Sequence, residues 1–148
     1  MGEVEVRHAR EDDIDSLAEL IQMHVHDYYD RPGPSAERVR MLLGTLMHEE
    51  DGVVLIGEQD GKLAGFAILY FTYSTEHADK IAVLNDIHVV EEVRRAGTGA
   101  VLFDACRAFA KDNGFAYLTW QVTKDNLQAQ RFFERMGAIR QDWVSYSI

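Results

Sequence analysis

Ile87-His88-Val89-Val90-Glu91-Glu92-Val93-Arg94-Arg95-Ala96-Gly97-Thr98-Gly99-Ala100 holds a strand end, a turn with two arginines and two glycines, and the start of an apolar-faced helix. The first amides of a helix have no intrahelical acceptor and share the positive end of its dipole. Glycines let a ligand approach that backbone closely. Together these features make a cradle for a pyrophosphate. A dinucleotide fingerprint requires a third glycine where Leu102 stands, and a Walker loop requires a lysine that is missing here. The string present is R-x-x-G-x-G, from Arg94 to Gly99. Such a string alone is more often an ordinary turn. Its place between a strand and a helix favours the phosphate reading.

Outward from this turn, hydrophobic periodicity predicts the remaining elements. Val4 to His8 alternates like a half-buried strand. Asp12 or Asp13 then caps a helix to about Asp27, with Ile14, Leu17, Ala18, Ile21 and Val25 on one face. Ser35 caps a second helix to about Met47, with Val39, Leu42, Leu43 and Leu46 inward. Val53 to Glu58 and Leu63 to Phe71 read as a hairpin around Asp60-Gly61, and Ile81 to Val90 as the next strand. A helix from Thr98 to Asp112 ends at Asn113-Gly114. Phe115 to Trp120 is a strand, Asn126 to Met136 a helix, and the alternating Trp143 to Ile148 a final strand. The fold class expected is α+β (mixed α/β), with a central mixed, mostly antiparallel sheet and helices on both faces. The unit from Ile81 to Gln121 supplies its parallel part.

The chain of 148 residues is 47% hydrophobic and 27% charged, as expected for one folded domain spanning residues 1–148. A formal net charge of −10 argues against nucleic acid as a partner and suits a cationic substrate or simply solubility. No apolar run is long enough to span a bilayer, and no secretory signal is read at the start. One cysteine, Cys106, leaves no internal disulfide and points to a reduced, cytoplasmic setting. No metal site is expected. His24 and His26, two apart on a helix, point to different faces.

The chain resembles the GNAT superfamily of N-acetyltransferases over nearly its whole length. The resemblance rests on Arg94 to Gly99, on Asn126-Leu127-Gln128-Ala129-Gln130-Arg131-Phe132-Phe133-Glu134-Arg135-Met136-Gly137-Ala138, and on the opening strand and helix with Asp12-Asp13. Gly65 to Tyr73 and Leu84-Asn85-Asp86 are similar to the polyamine (spermidine/spermine) and thialysine acetyltransferase branch. The resemblance implies acetyl-CoA as acyl donor and a small primary amine as acceptor, with a homodimer as assembly. It implies that Arg94, Arg95, Ala96, Gly97, Thr98, Gly99 and Ala100 hold the pyrophosphate. Ile87 and Val89 would line the pantetheine arm, with the Val89 amide facing the thioester oxygen. Asn126, Phe132 and Phe133 would complete the coenzyme site. For Asn126 a plain helix cap is an equal reading.

The chemistry needs a base, because an alkyl ammonium has a pKa of about 10.4 and must lose a proton before it attacks. The polyamine branch carries glutamate where Asn85 stands, and the superfamily often carries tyrosine where Phe133 stands. Asn85 can orient a water but not accept a proton, and Phe133 has none to give. Asp86 is the nearest carboxyl group, and a strand bulge is required for it and Asn85 to face one acceptor. His88 reads as a packed strand histidine or a titrating group, and Tyr28, Tyr29, Tyr70 and Tyr73 as packing residues or acids. The catalytic candidates are therefore Asn85, Asp86 and the backbone of Val89. The same two substitutions admit an alternative, a domain that keeps the coenzyme cradle but serves as an acyl-CoA sensor or partner-binding module.

Overall fold

A computed structural model describes residues 2–48, 50–90 and 97–148 of the chain. Five strands form one sheet in chain order: β1 (Glu5–His8), β2 (Gly52–Gln59), β3 (Lys62–Ser74), β4 (Asp79–Val89) and β5 (Leu118–Thr119). β1 to β4 pair antiparallel, and β5 joins β4 in parallel. The α+β class and the mostly antiparallel sheet expected from the sequence are those observed. Helices α1 (Ile14–Tyr29) and α2 (Ala36–Leu46) lie on one face, α3 (Thr98–Asp112) and α4 (Leu127–Arg135) on the other.

Strand alternation divides the core into two layers. Val54, Ile56, Phe66 and Ile68 turn toward Leu17, Ala18, Ile21, Val39 and Leu43 of α1 and α2. Their neighbours Val53, Leu55, Ala67 and Leu69 turn toward Leu102, Phe103, Cys106 and Phe133 of α3 and α4. Ser35 caps α2, its hydroxyl accepting from the Arg38 amide at 3.2 Å. Leu42, expected inward, is 49% exposed, because Val39, Leu43 and Leu46 already fill the contact face.

Asp13 does not cap α1 with its side chain, contrary to the expected role for Asp12 or Asp13. It accepts instead from the Arg10 amide at 2.7 Å across a short 3-10 turn and takes a bidentate fork from Arg7 at 2.7 and 2.9 Å. Arg7 also binds Glu58. The hydrogen bond from Arg7 holds the Asp13 carboxyl below its usual range despite partial burial. A carboxyl depressed in the folded state stabilises the fold above its unfolded pKa of about 3.9, and the contribution is lost as pH falls through the folded value. Asp13→Asn should therefore be less stable than the native chain at neutral pH in denaturant titrations. The difference should close progressively below about pH 4. A gap independent of pH would assign Asp13 a purely packing role.

Two expected strands differ from the structure. Phe115 to Trp120 is reduced to Leu118–Thr119, because Phe115 turns inward to stack near Phe71 and Phe109. Trp143 to Ile148 forms no strand, and all its residues are exposed.

Candidate active site

β5 pairs with β4 only at Ala82↔Leu118 and Val83↔Thr119. β4 continues to Val89, held on its other side by β3 as far as Gly65↔Val89. From Leu84 onward, no described strand covers the outer edge of β4. Alternate N–H groups of a strand point to opposite edges. Val90 N–H donates to Ala64 O at 2.9 Å, which directs that of Val89 to the outer edge.

This edge leads to the start of α3. The first intrahelical bond there is Val101 N–H to Gly97 O at 3.1 Å, so the amides of Thr98, Gly99 and Ala100 precede it. Gly97 caps the helix in the left-handed region, at φ 82°, and a Cβ on it would meet nothing within 4 Å among the described residues. A Cβ on Gly99 would lie 3.6 Å from the Phe132 ring and 3.8 Å from Val89 Cγ2. Val89, Gly99 and Phe132, from three separate motifs of the sequence, thus meet at one place. The Thr98 hydroxyl is buried, with no hydrogen-bond partner among the described residues. An orphaned buried hydroxyl and two glycines at a helix start fit a phosphate-bearing ligand. Arg94, Arg95 and Ala96 lie outside the described residues.

Phe133 belongs to the core rather than to an open site. It is buried against Phe103, Trp120 and Phe132. Trp120 lies in the same aromatic cluster. Asn126 caps α4, its Oδ1 accepting from the Ala129 amide at 3.1 Å, so the cap reading is observed. Its Nδ2 reaches toward the Tyr28 hydroxyl at 3.5 Å.

The polar centre lies on the α1 side of β4. The sheet register slips between Ile68↔Asp86 and Leu69↔Leu84, which leaves Asn85 as an unpaired bulge residue. Such a bulge is what Asn85 and Asp86 require to serve one side of the strand. Asp86 Oδ1 lies 3.0 Å from His24 Nε2 and accepts from the Tyr29 hydroxyl at 3.2 Å. A carboxylate only accepts, so in this pair Nε2 is the donor. His24 is 7% exposed, stacked on Tyr28 and tilted against His88 at 4.8 Å. Desolvation first, then the charge of Asp86, pushes the Tyr29 hydroxyl up to about 12. Tyr29 keeps its proton and orients Asp86; it is a poor acid for a thiolate of pKa about 8.5. Tyr70 and Tyr73 stand further along β3, opposite Val83 and Lys80, and are exposed.

His24 is the residue that sequence reasoning missed as an acid–base candidate. The sequence raised it only with His26 as a metal pair, and its partner is 62 positions away. The one local signal was its spacing from Tyr28, four residues on, which stacks them on a helix. His26 is exposed on another face beside Asp27. No cluster of three potential metal ligands occurs among the described residues.

Residues 17–138 match the model of the acetyltransferase (GNAT) family. The chain belongs to the acetyltransferase (GNAT) family. It is 30% identical over 132 residues to the uncharacterized N-acetyltransferase YhfO of Bacillus subtilis, covering 89% of this chain and 87% of that one. It is 32% identical over 85 residues to the L-ornithine N5-acetyltransferase NATA1 of Arabidopsis thaliana, covering 57% of this chain and 37% of the plant protein. The fold superposes on the crystal structure of a probable acetyltransferase with a TM-score of 0.85 at 24% identity, covering 97% and 96% of the two chains. GNAT acetyltransferases generally use acetyl-CoA as cosubstrate, and acyl transfer is this chain's reaction class. No helix among the described residues is long and apolar enough to cross a membrane.

Cys106 bears on how a GNAT enzyme of this kind works. It is 0% exposed in the middle of α3, and burial pushes its thiol up to about 12. A neutral, inaccessible thiol cannot be an acyl carrier. Cys106→Ala should leave acyl transfer unchanged in a steady-state assay. Loss of turnover in a folded variant would point to a covalent intermediate.

Proposed function

We propose that this protein transfers an acetyl group from acetyl-CoA to a primary amine of a small molecule, by direct attack on the thioester. The carrying observation is the junction of two features on β4. Its outer edge leads past Val89 to the amides of Thr98, Gly99 and Ala100, while the bulge at Asn85 precedes Asp86, which lies beside His24. In this reading the α3 amides, with Arg94 and Arg95, hold the pyrophosphate. Ile87, Val89, Asn126 and Phe132 line the arm, Phe133 supporting Phe132 from the core. The Val89 amide stabilises the oxyanion, and the dipole of α3 favours the leaving thiolate.

Asp86 attracts the ammonium, and Asp86 and His24 accept its proton directly or through a water oriented by Asn85. Asp86 thereby takes the place of the glutamate that the polyamine branch carries at position 85. A small amine as acceptor is supported by the similarity to the polyamine and thialysine branch and by the ornithine acetyltransferase among the relatives. The acidic charge of −10 favours a cationic substrate. A cytoplasmic enzyme with one domain accords with the lone buried thiol.

Release of free thiol from acetyl-CoA over a panel of polyamines, diamino acids and aminoglycosides tests the reading. Turnover with at least one amine is the expected result. Coenzyme binding without turnover for any amine would overturn it in favour of a sensor that has lost catalysis.

A further inference from the structure

Acylation of an ammonium removes two protons from one nitrogen. The first must leave before attack, because the cation has no lone pair. The second must leave after the C–N bond forms, because the nitrogen then carries a positive charge. One of the two ends on sulfur, since a thiol of pKa about 8.5 is protonated at neutral pH. Asp86 and His24 serve the first removal. Phe133 has no proton for sulfur, and Tyr29, pushed up to about 12, holds its own.

His88 stands where the second proton is released. Residues paired across two strands share a face of the sheet. The pairs Phe66↔His88 and Ile68↔Asp86 thus put His88 and Asp86 on the α1 face of β4, since Phe66 and Ile68 belong to that layer. Along the strand Asp86 lies about 10 Å before Val89, and His88 only about 3.3 Å. A nitrogen attacking a carbonyl held at the Val89 amide therefore lies nearer to His88 than to Asp86. His24 is buried away from a substrate, whereas His88 is half-buried. The His88 ring packs on His24 at 4.8 Å and on Phe66 at 5.6 Å between ring centres, which sets its direction from two sides.

We propose that His88 carries the second proton from the attacking nitrogen to the leaving sulfur. This role rests on the acetyl transfer proposed above. Attack forms the C–N bond and moves the carbonyl electron pair onto oxygen, at the Val89 amide. His88 takes a proton from the nitrogen. As the oxyanion collapses, the C–S bond breaks and its electron pair leaves with sulfur, which takes the proton back from His88. An imidazolium, ordinarily of pKa about 6.5, is a stronger acid than a thiol of about 8.5, so this last transfer runs downhill. The amide and free thiol result, His88 is neutral again, and the proton given up before attack is the one released to solvent.

The two removals separate by experiment. With the most active amine of the panel, His88→Phe should lower kcat about 10²–10⁴-fold at unchanged coenzyme affinity. His88→Gln, which keeps a polar side chain but exchanges no proton, should show the same loss. Thermal melts check that both variants fold. A fluorinated analogue of that amine, uncharged at neutral pH, needs no first removal. It should narrow the deficit of Asp86→Asn and leave that of His88→Phe. A native rate in either His88 variant, or a deficit of His88→Phe that the fluorinated amine also closes, overturns the proposal. A second readout needs no turnover. In proton–nitrogen correlation spectra of the native chain, coenzyme A should shift the ring signals that vanish in His88→Phe. Coenzyme A that binds without moving them overturns the role of His88 and leaves acetyl transfer standing, whereas absence of binding overturns both.

Discussion

Replacing Gly97 with tyrosine should weaken acetyl-CoA binding at least about 100-fold, close to 3 kcal/mol, while the protein stays folded. The amides of Thr98, Gly99 and Ala100 lie ahead of the first hydrogen bond of α3, and Gly97 stands at their entrance. A Cβ there would meet no atom of the described residues within 4 Å, so the substitution does not press on the core they form. The fold bears only the left-handed backbone at φ 82°, a cost of about 1–2 kcal/mol for a residue with a Cβ. That is small against the roughly 5–15 kcal/mol of a typical domain. Gly97→Asn separates the two effects, because asparagine tolerates this conformation and projects less. It should lose less affinity than the tyrosine variant. Calorimetry and thermal melts on both variants check this. Unchanged affinity in Gly97→Tyr would move the phosphate site elsewhere.

Asp86→Asn should lower kcat about 10²–10⁴-fold and leave coenzyme affinity intact. The substitution preserves shape and keeps an oxygen to accept from Tyr29, but removes the negative charge and the proton acceptor. Asp86 joins β4 to α1, through His24 at 3.0 Å and Tyr29 at 3.2 Å. His24→Gln should also slow turnover, by less, because the carboxylate remains. Steady-state kinetics with the best amine of the panel, alongside coenzyme titrations, separate the two terms. Equal rates in the native chain and Asp86→Asn would remove this carboxylate from the reaction.

Local signals carried most of the fold. The Asp60-Gly61 turn, the cap at Ser35 and the stop at Gly114 lie within a few residues of what they control, and the β2–β3 hairpin and helices α2 and α3 follow them. Long-range packing decided the rest. Phe115 left its strand for the aromatic cluster with Phe71, and Leu42 stayed outside because three other residues filled the α2 contact. Periodicity marked Trp143 to Ile148 as a strand, yet a strand also needs a neighbour, and none is supplied from within the chain's described residues. The proposed coenzyme side draws on backbone at a turn whose glycines show in sequence. The proposed acid–base centre was half legible. Asn85 and Asp86 are adjacent, and the bulge that joins them was a stated requirement. His24 was hidden, since only the folding of α1 across β4 makes a core-like histidine the partner of Asp86.

The most direct measurement is a calorimetric titration of the purified native chain with acetyl-CoA. One coenzyme should bind per chain, with the affinity depending on the diphosphate, so that the dephosphorylated pantetheine thioester binds far more weakly. No measurable heat or affinity for either coenzyme A or acetyl-CoA would contradict the account at its root, because every proposed catalytic step begins with a thioester held along β4.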